Sequence, residues 1–205
     1  MTLLQNYKHN ENGAVTVEAS LISGIMIMLT LTAFEFIYGF FQWNTAQQAV
    51  RVGARLAATT QPVSQTLETM TGLEGGANPG DPMPDYVHSC TGETASCSSG
   101  GFNSSALNEI IYGPDNDGVC EATTRARRGM CDLFKRVAPE NVEIEYRNSG
   151  FGRAGTPATP APLITVTLKN IDFDFALIGN FAPQGLRKMP PVSVTVIAED
   201  LRSGT

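Results

Sequence analysis

Few side chains in this 205-residue chain are of a type and spacing that could make or break bonds. Asp85, His88 and Ser89 supply an acid, a base and a nucleophile within a few positions. Such a trio works only when geometry brings it together, and this one falls in a stretch that reads as loop, so no catalytic residue is expected. The only other histidine is His9, near the start of the chain. Asp115-Asn116-Asp117-Gly118 has the acid spacing of part of a calcium loop. Gly113 and Thr124 stand where the loop's first and last carboxylates belong, so the segment reads as a turn and no metal is expected. The four cysteines, Cys90, Cys97, Cys120 and Cys131, contain no Cys-x-x-Cys, which argues against a redox motif or a zinc ribbon. They allow three disulfide pairings, of which the sequence-local Cys90–Cys97 and Cys120–Cys131 close the shortest loops. If 120–131 were one unbroken helix its ends would lie about 16 Å apart, beyond the roughly 7 Å that a disulfide tolerates between Cα atoms. A helix starting later, near Gly129, would relieve this. No phosphate-binding loop occurs. The chain is expected to be neither an enzyme nor a cofactor binder.

What, then, must the chain's elements position? Hydrophobic residues make up 42% and charged residues 17%, too apolar for a disordered chain and too poor in charge for a coiled-coil rod. The net charge of −6 argues against nucleic acid as a partner, since phosphate neutralisation needs a basic face. A mean hydropathy near zero conceals a strong bias, because apolar residues pile up near the N-terminus. Ala19 to Phe34 carry no charge, and after Glu35 the apolar run continues through Phe36, Ile37, Phe40 and Phe41 to Trp43. As a helix, Ala19–Trp43 spans about 37 Å, enough for a hydrocarbon core of about 30 Å. Glu18 and Glu35 would lie about 26 Å apart, each near an interface. The run is too long for an ordinary secretory signal and lacks a small-x-small cleavage site, so it reads as a retained anchor. Two signals disagree on orientation. Arg51 and Arg55 outweigh Lys8 in the leader, while the cysteines favour an oxidising compartment for the C-terminal part. The cysteines are given more weight, which places that part outside the cytoplasm.

Beyond Trp43, Ala46, Ala49, Val50, Gly53, Ala54 and Ala57 form one helical stripe, opposite Gln47, Gln48, Arg51 and Arg55. One helix from Ala14 to Thr59, about 70 Å long, is the economical reading. Its small-residue face suits either the chain's own C-terminal domain or the backbone of another subunit. Residues 61–102 are rich in Gly, Pro, Ser and Thr and read as loop. Helices are expected over Ser105–Tyr112 and, broken near Gly129, over Glu121–Val137. Arg125, Arg127, Arg128, Lys135 and Arg136 make the second region basic, as a solvated face or toward an anionic partner. Strands are expected at Val142–Tyr146, Leu163–Leu168, Ile171–Phe175 and Val192–Ala198, with Val192, Val194, Val196 and Ala198 on one face. The fold class is α+β: a long N-terminal helix packed on a small antiparallel sheet, with short helices and a long loop.

The residues entering the apolar run carry a further signal. Gly13-Ala14-Val15-Thr16-Val17-Glu18, after a short polar leader, resembles the processing site of type IV pilin-like precursors. Phe34-Glu35-Phe36 and Arg51-Val52-Gly53-Ala54-Arg55-Leu56-Ala57 look like the TadE-like pseudopilins of the tight-adherence (Flp) pilus. Asn141-Val142-Glu143-Ile144-Glu145-Tyr146, Ser149-Gly150-Phe151-Gly152 and Leu163-Ile164-Thr165-Val166-Thr167-Leu168 look like the C-terminal part of that family. The resemblance covers roughly residues 12–60 and 140–201. It implies a leader, residues 1–13, removed by a prepilin peptidase after Gly13, so that Ala14 becomes the new N-terminus. Glu18, as fifth residue of the mature chain, would pair with the freed amine of a neighbouring subunit, and Glu35 would be a second charge used in assembly. It further implies a helix over 14–60 with a transmembrane segment at about 19–43, and an extracytoplasmic head over 61–205. Ala46, Ala49, Val50, Gly53 and Ala57 would pack the helix. The partners implied are other pilins, the pilus assembly platform and the inner membrane, and the role is a minor pilin that starts or supports a pilus used in adhesion. From the residues alone, an uncleaved single-span protein displaying a disulfide-bearing binding head remains the alternative.

Overall fold

The computed structural model describes residues 12–115, 118–120, 127–156, 158, 160–176, 179 and 184–198. Lys8, His9 and Glu11 of the expected leader, Asn116 and Asp117 of the expected turn, and Thr124 and Arg125 lie outside them, as does most of the first part of the helix expected from Glu121.

One helix, α1 (Asn12–Ala57), runs through the whole apolar segment and the small-residue stripe. With no proline before Pro62, nothing interrupts its ladder. The rest of the described chain folds against its C-terminal half. After α2 (Gln65–Thr69) come strands β1 (Val87–Thr91) and β2 (Ser96–Cys97), helices α3 (Ser104–Tyr112) and α4 (Met130–Leu133), then β3 (Val142–Asn148), β4 (Pro162–Leu168), α5 (Gln184–Arg187) and β5 (Val192–Ile197). Asn103 caps α3, its side chain accepting from the Ala106 N–H at 3.1 Å.

The five strands form one antiparallel sheet in the order β2-β1-β3-β4-β5. Its pleat separates two chemistries. Val142, Ile144 and Tyr146 of β3 and Ile164, Val166 and Leu168 of β4 are buried, and Val192, Val194 and Val196 of β5 continue that face by register. The opposite face is polar: Lys169 pairs with Glu143 at 3.1 Å, Arg147 with Glu145 at 2.9 Å, and the Thr165 and Thr195 hydroxyls meet at 2.8 Å. A sheet with one dry and one wet face needs a single cover. α1, α3 and α4 supply it.

Three expectations fail here. The stretch 61–102 is not all loop, because β1 and β2 lie within it. Ile171–Phe175 is not a strand. Its alternation is genuine, with Ile171 buried and Asp172 and Asp174 exposed, but its pairing is a single bridge, Asp172 to Lys188. The backbone of Asp174 and Ala176 is instead taken up by side chains of α1. The second expected helix shrinks, among the described residues, to one turn at α4, since Gly129 is extended where it enters the helix.

The cysteines form the two local bridges, Cys90–Cys97 and Cys120–Cys131. Because the helix holding Cys131 starts only at Met130, the second pair has its Cα atoms 5.3 Å apart and the 16 Å problem does not arise.

Candidate functional site

The part of the molecule that its own head leaves unused is the first half of α1. From Gly13 to Phe34 every residue is exposed except the half-buried Thr32. These 22 residues extend about 33 Å, close to the thickness of a hydrocarbon core. The exposed side chains include Leu21, Ile22, Ile25, Met26, Ile27, Met28 and Leu29, so no side of the shaft is polar. Its hydroxyls are satisfied within the helix. Ser20 donates to the Val17 carbonyl at 2.8 Å, Ser23 to Ser20 at 2.9 Å, Thr30 to Ile27 at 2.8 Å and Thr32 to Met28 at 2.8 Å. A helix whose backbone and hydroxyls need nothing from outside is what a bilayer interior tolerates. By length and composition this helix can cross a membrane.

The upper limit of that segment is Glu35. Its side chain is buried, and Oε2 accepts the Ala176 N–H at 3.1 Å. One turn on, Gly39 meets the ring of Phe175, which would lie 3.4 Å from a Cβ placed there. Gln42 then grips the same segment from both sides. Its Nε2 donates to the Asp174 carbonyl at 2.8 Å, and its Oε1 accepts the Asp174 N–H at 2.9 Å and Arg136 Nη1 at 3.2 Å. The bare span therefore ends at Phe34, short of Trp43, which packs against the core. Glu35, expected to serve assembly between subunits, is engaged by its own head. Phe36, Ile37, Phe40 and Phe41 remain exposed on the far side of the same turns.

Above this junction the stripe meets the head. Ala46, Ala49, Val50, Ala54 and Ala57 are fully buried, and Gly53 is buried with them. A Cβ on Gly53 would collide with the Met130 sulfur and lie 2.7 Å from its Cγ. Of the two partners expected for this face, the chain's own head holds it, so it does not lie open to a neighbouring helix.

At the other end, Gly13 and Ala14, the expected processing site, lie inside the first turns of α1. Nothing lies within 4 Å of a Cβ placed on Gly13, and the first turn of any helix lacks partners for its N–H groups, so unwinding there breaks few bonds. Glu18 is exposed and, among the described residues, has neither a hydrogen bond nor an ion pair.

The possible triad is taken apart by the sheet. His88 and Ser89 are neighbours on β1 and point to opposite faces. Ser89 Oγ donates to Glu143 on the wet face at 3.1 Å, and Asp85 Oδ1 accepts from Asn148 at 3.3 Å. His88 is buried, stacked on Tyr86 and bonded through Nδ1 to Ser99 Oγ at 3.0 Å. Burial pushes the His88 pKa below its ordinary value and that of Tyr86 up to about 12. The His88–Ser99 pair was not visible in sequence, since only the β1–β2 hairpin brings the two together. Among the described residues no cluster of His, Cys, Asp and Glu could hold a metal.

Comparison with known proteins bears on the helix alone. No curated protein and no solved structure matches this chain. One family model does match, described as TadE-like protein, over residues 13–55. That stretch starts with the bare shaft and ends two residues before α1 does, so the likeness noted over 140–201 forms no part of the match. Over its N-terminal helix, this chain is thus similar to the TadE-like family.

Proposed function

We propose that the chain is a minor pilin, or pseudopilin, of a tight-adherence pilus, and that it works by non-covalent assembly. The observation that carries this reading is the bare shaft of residues 13–34, apolar on all sides and lying within the TadE-like match. An apolar surface of that extent needs lipid or other subunits to cover it. In this reading the shaft is held in the inner membrane with the head outside the cytoplasm, the leader is cut after Gly13 by a prepilin peptidase, and Ala14 becomes the N-terminus. Glu18 is costly to leave uncompensated in an apolar setting, and the freed amine of a neighbouring subunit is its natural partner. Other pilins and the assembly platform are the partners. The head has well over a hundred residues, and its bulk suits a subunit that primes or caps a filament rather than one repeated along it.

Intact mass of the protein extracted from membranes tests this directly. A chain beginning at Ala14, and a Gly13→Leu variant that retains its leader, are expected. A wild-type mass beginning at Met1 would refute the processing step. Glu18→Ala should be cut normally but fail to support filaments; normal filaments in that variant would remove the charge-pairing argument.

A further inference from the structure

Where α1 ends against the last strand, the head has a groove of about 510 Å³ that the assembly reading does not use. Arg55, Arg127 and Arg128 line it, all exposed, over an apolar floor that includes Val52, Val196 and Ile197. Among the described residues no acid is in the lining. Among the described residues these arginines form no ion pair, and their one side-chain hydrogen bond runs from Arg127 to Thr59 Oγ1 at 3.5 Å. In a chain of net charge −6, three cations around one groove, with no acid beside them among the described residues, are a local reversal of sign.

The groove adjoins an open sheet edge. The Ala198 N–H donates to the Pro162 carbonyl at 2.9 Å, which sets the phase of the β4–β5 ladder. In an antiparallel pair bonded and non-bonded positions alternate, so Val196, Val194 and Val192 bond inward to β4. Ser193, Thr195 and Ile197 then turn their backbone N–H and C=O groups outward. Among the described residues these groups have no partner. β5 is the terminal strand of the sheet and, at six residues, its long edge; the other edge, β2, has two.

From these two features together we infer that the groove is a docking site for an extended, carboxylate-bearing segment of a partner protein, which adds to β5 as a sixth strand and sets its acids against Arg55, Arg127 and Arg128. Strand addition supplies backbone bonds, and the arginines supply direction and selectivity. An anionic lipid does not fit the site. Arg55 lies twenty residues beyond Glu35 on one helix, about 30 Å from the bilayer surface in the membrane reading above, against a screening length of about 8 Å.

The test uses the full chain in detergent micelles and, as probe, a synthetic ten-residue peptide alternating Asp and Thr with blocked ends. Binding is read by fluorescence anisotropy, and hydrogen exchange reads the Ser193, Thr195 and Ile197 amides. Saturable binding is expected, with those amides protected. The triple variant Arg55→Glu/Arg127→Glu/Arg128→Glu should weaken it at least tenfold, and so should Thr195→Pro, which removes an outward N–H and the exposed hydroxyl contact with Thr165 while sparing every backbone bond to β4. Both variants should melt like the wild type. The proposal is overturned if the acidic peptide does not bind, if either variant binds it normally, or if a lysine-containing counterpart or an oligothymidylate binds as well. Leader cleavage is read by mass and is independent of all these outcomes.

Discussion

Replacing Gln42 by alanine tests how the segment 171–176 is fastened to the helix. Gln42 is almost wholly buried and makes three hydrogen bonds, two to the backbone of Asp174 at 2.8 and 2.9 Å and one from Arg136 at 3.2 Å. A neutral bond contributes about 0.5–1.5 kcal/mol net, so the Asp174 pair is worth about 1–3 kcal/mol. Asp174 and Arg136 are exposed, so both regain water once the amide is gone; the Arg136 bond then adds only a few tenths. The expected loss is about 2 kcal/mol. Trp43, the only tryptophan, is the next residue and packs on the core, so its fluorescence during urea unfolding in detergent reports on this junction. Hydrogen exchange at the Asp174 amide gives the local reading and should accelerate by at least tenfold. Gln42→Met keeps the length of the side chain and removes its polar atoms, which separates packing from hydrogen bonding. If Gln42→Met unfolds like the wild type, or if the Asp174 amide in Gln42→Ala exchanges at its original rate, the fastening is not due to these bonds.

Three further outcomes are expected. Tyr146→Phe removes the hydroxyl that accepts the buried Val63 N–H at 2.9 Å and should destabilise the head by about 1–3 kcal/mol in urea unfolding, because the N–H is left without a partner. His88 is buried with its pKa below the ordinary 6.5, so the unfolded chain binds the proton more readily than the folded one. Stability should therefore fall as pH drops below about 6.5 and level off once the folded-state pKa is passed. His88→Phe, compared with wild type by urea midpoints at pH 7.5, 6 and 5, should lack that part of the slope. Gly53→Ala gains about 1 kcal/mol of helix propensity but drives a Cβ into Met130. Overpacking costs about 1–3 kcal/mol, so thermal unfolding should show a net loss, and Gly53→Ala combined with Met130→Ala should relieve the collision at the cost of a cavity.

The shaft and the upper stripe are legible in sequence because each rests on many residues of one kind at helical spacing. What escapes notice is how far down the stripe extends. Glu35, Gly39 and Gln42 continue the spacing of Ala46, Ala49 and Gly53, yet two of them are polar and read as outward-facing. They are buried because their amide and carboxylate atoms bond to the backbone of 174–176, a partner more than a hundred residues away. The error at Ile171–Phe175 has the same cause seen from the other side. Its alternation predicts a strand correctly in burial and wrongly in bonding, since side chains of α1 take the place of a ladder. β1 was hidden for another reason: its buried positions are His88 and Cys90, neither of which marks an apolar face. The two disulfides were reachable from loop length, whereas the arginine groove needed the end of α1, the approach to α4 and the last strand brought together.

Attachment at several heights, from Glu35 through Gln42 and Gly53 to Ala57, has a mechanical consequence. A load keyed to its axle at so many points cannot swivel on it. Any roll or tilt imposed on the bare apolar end is passed undiminished to the head, like a crank turned by its spindle. The compass bearing toward which the arginine groove faces is accordingly decided by the azimuth of the bare rod.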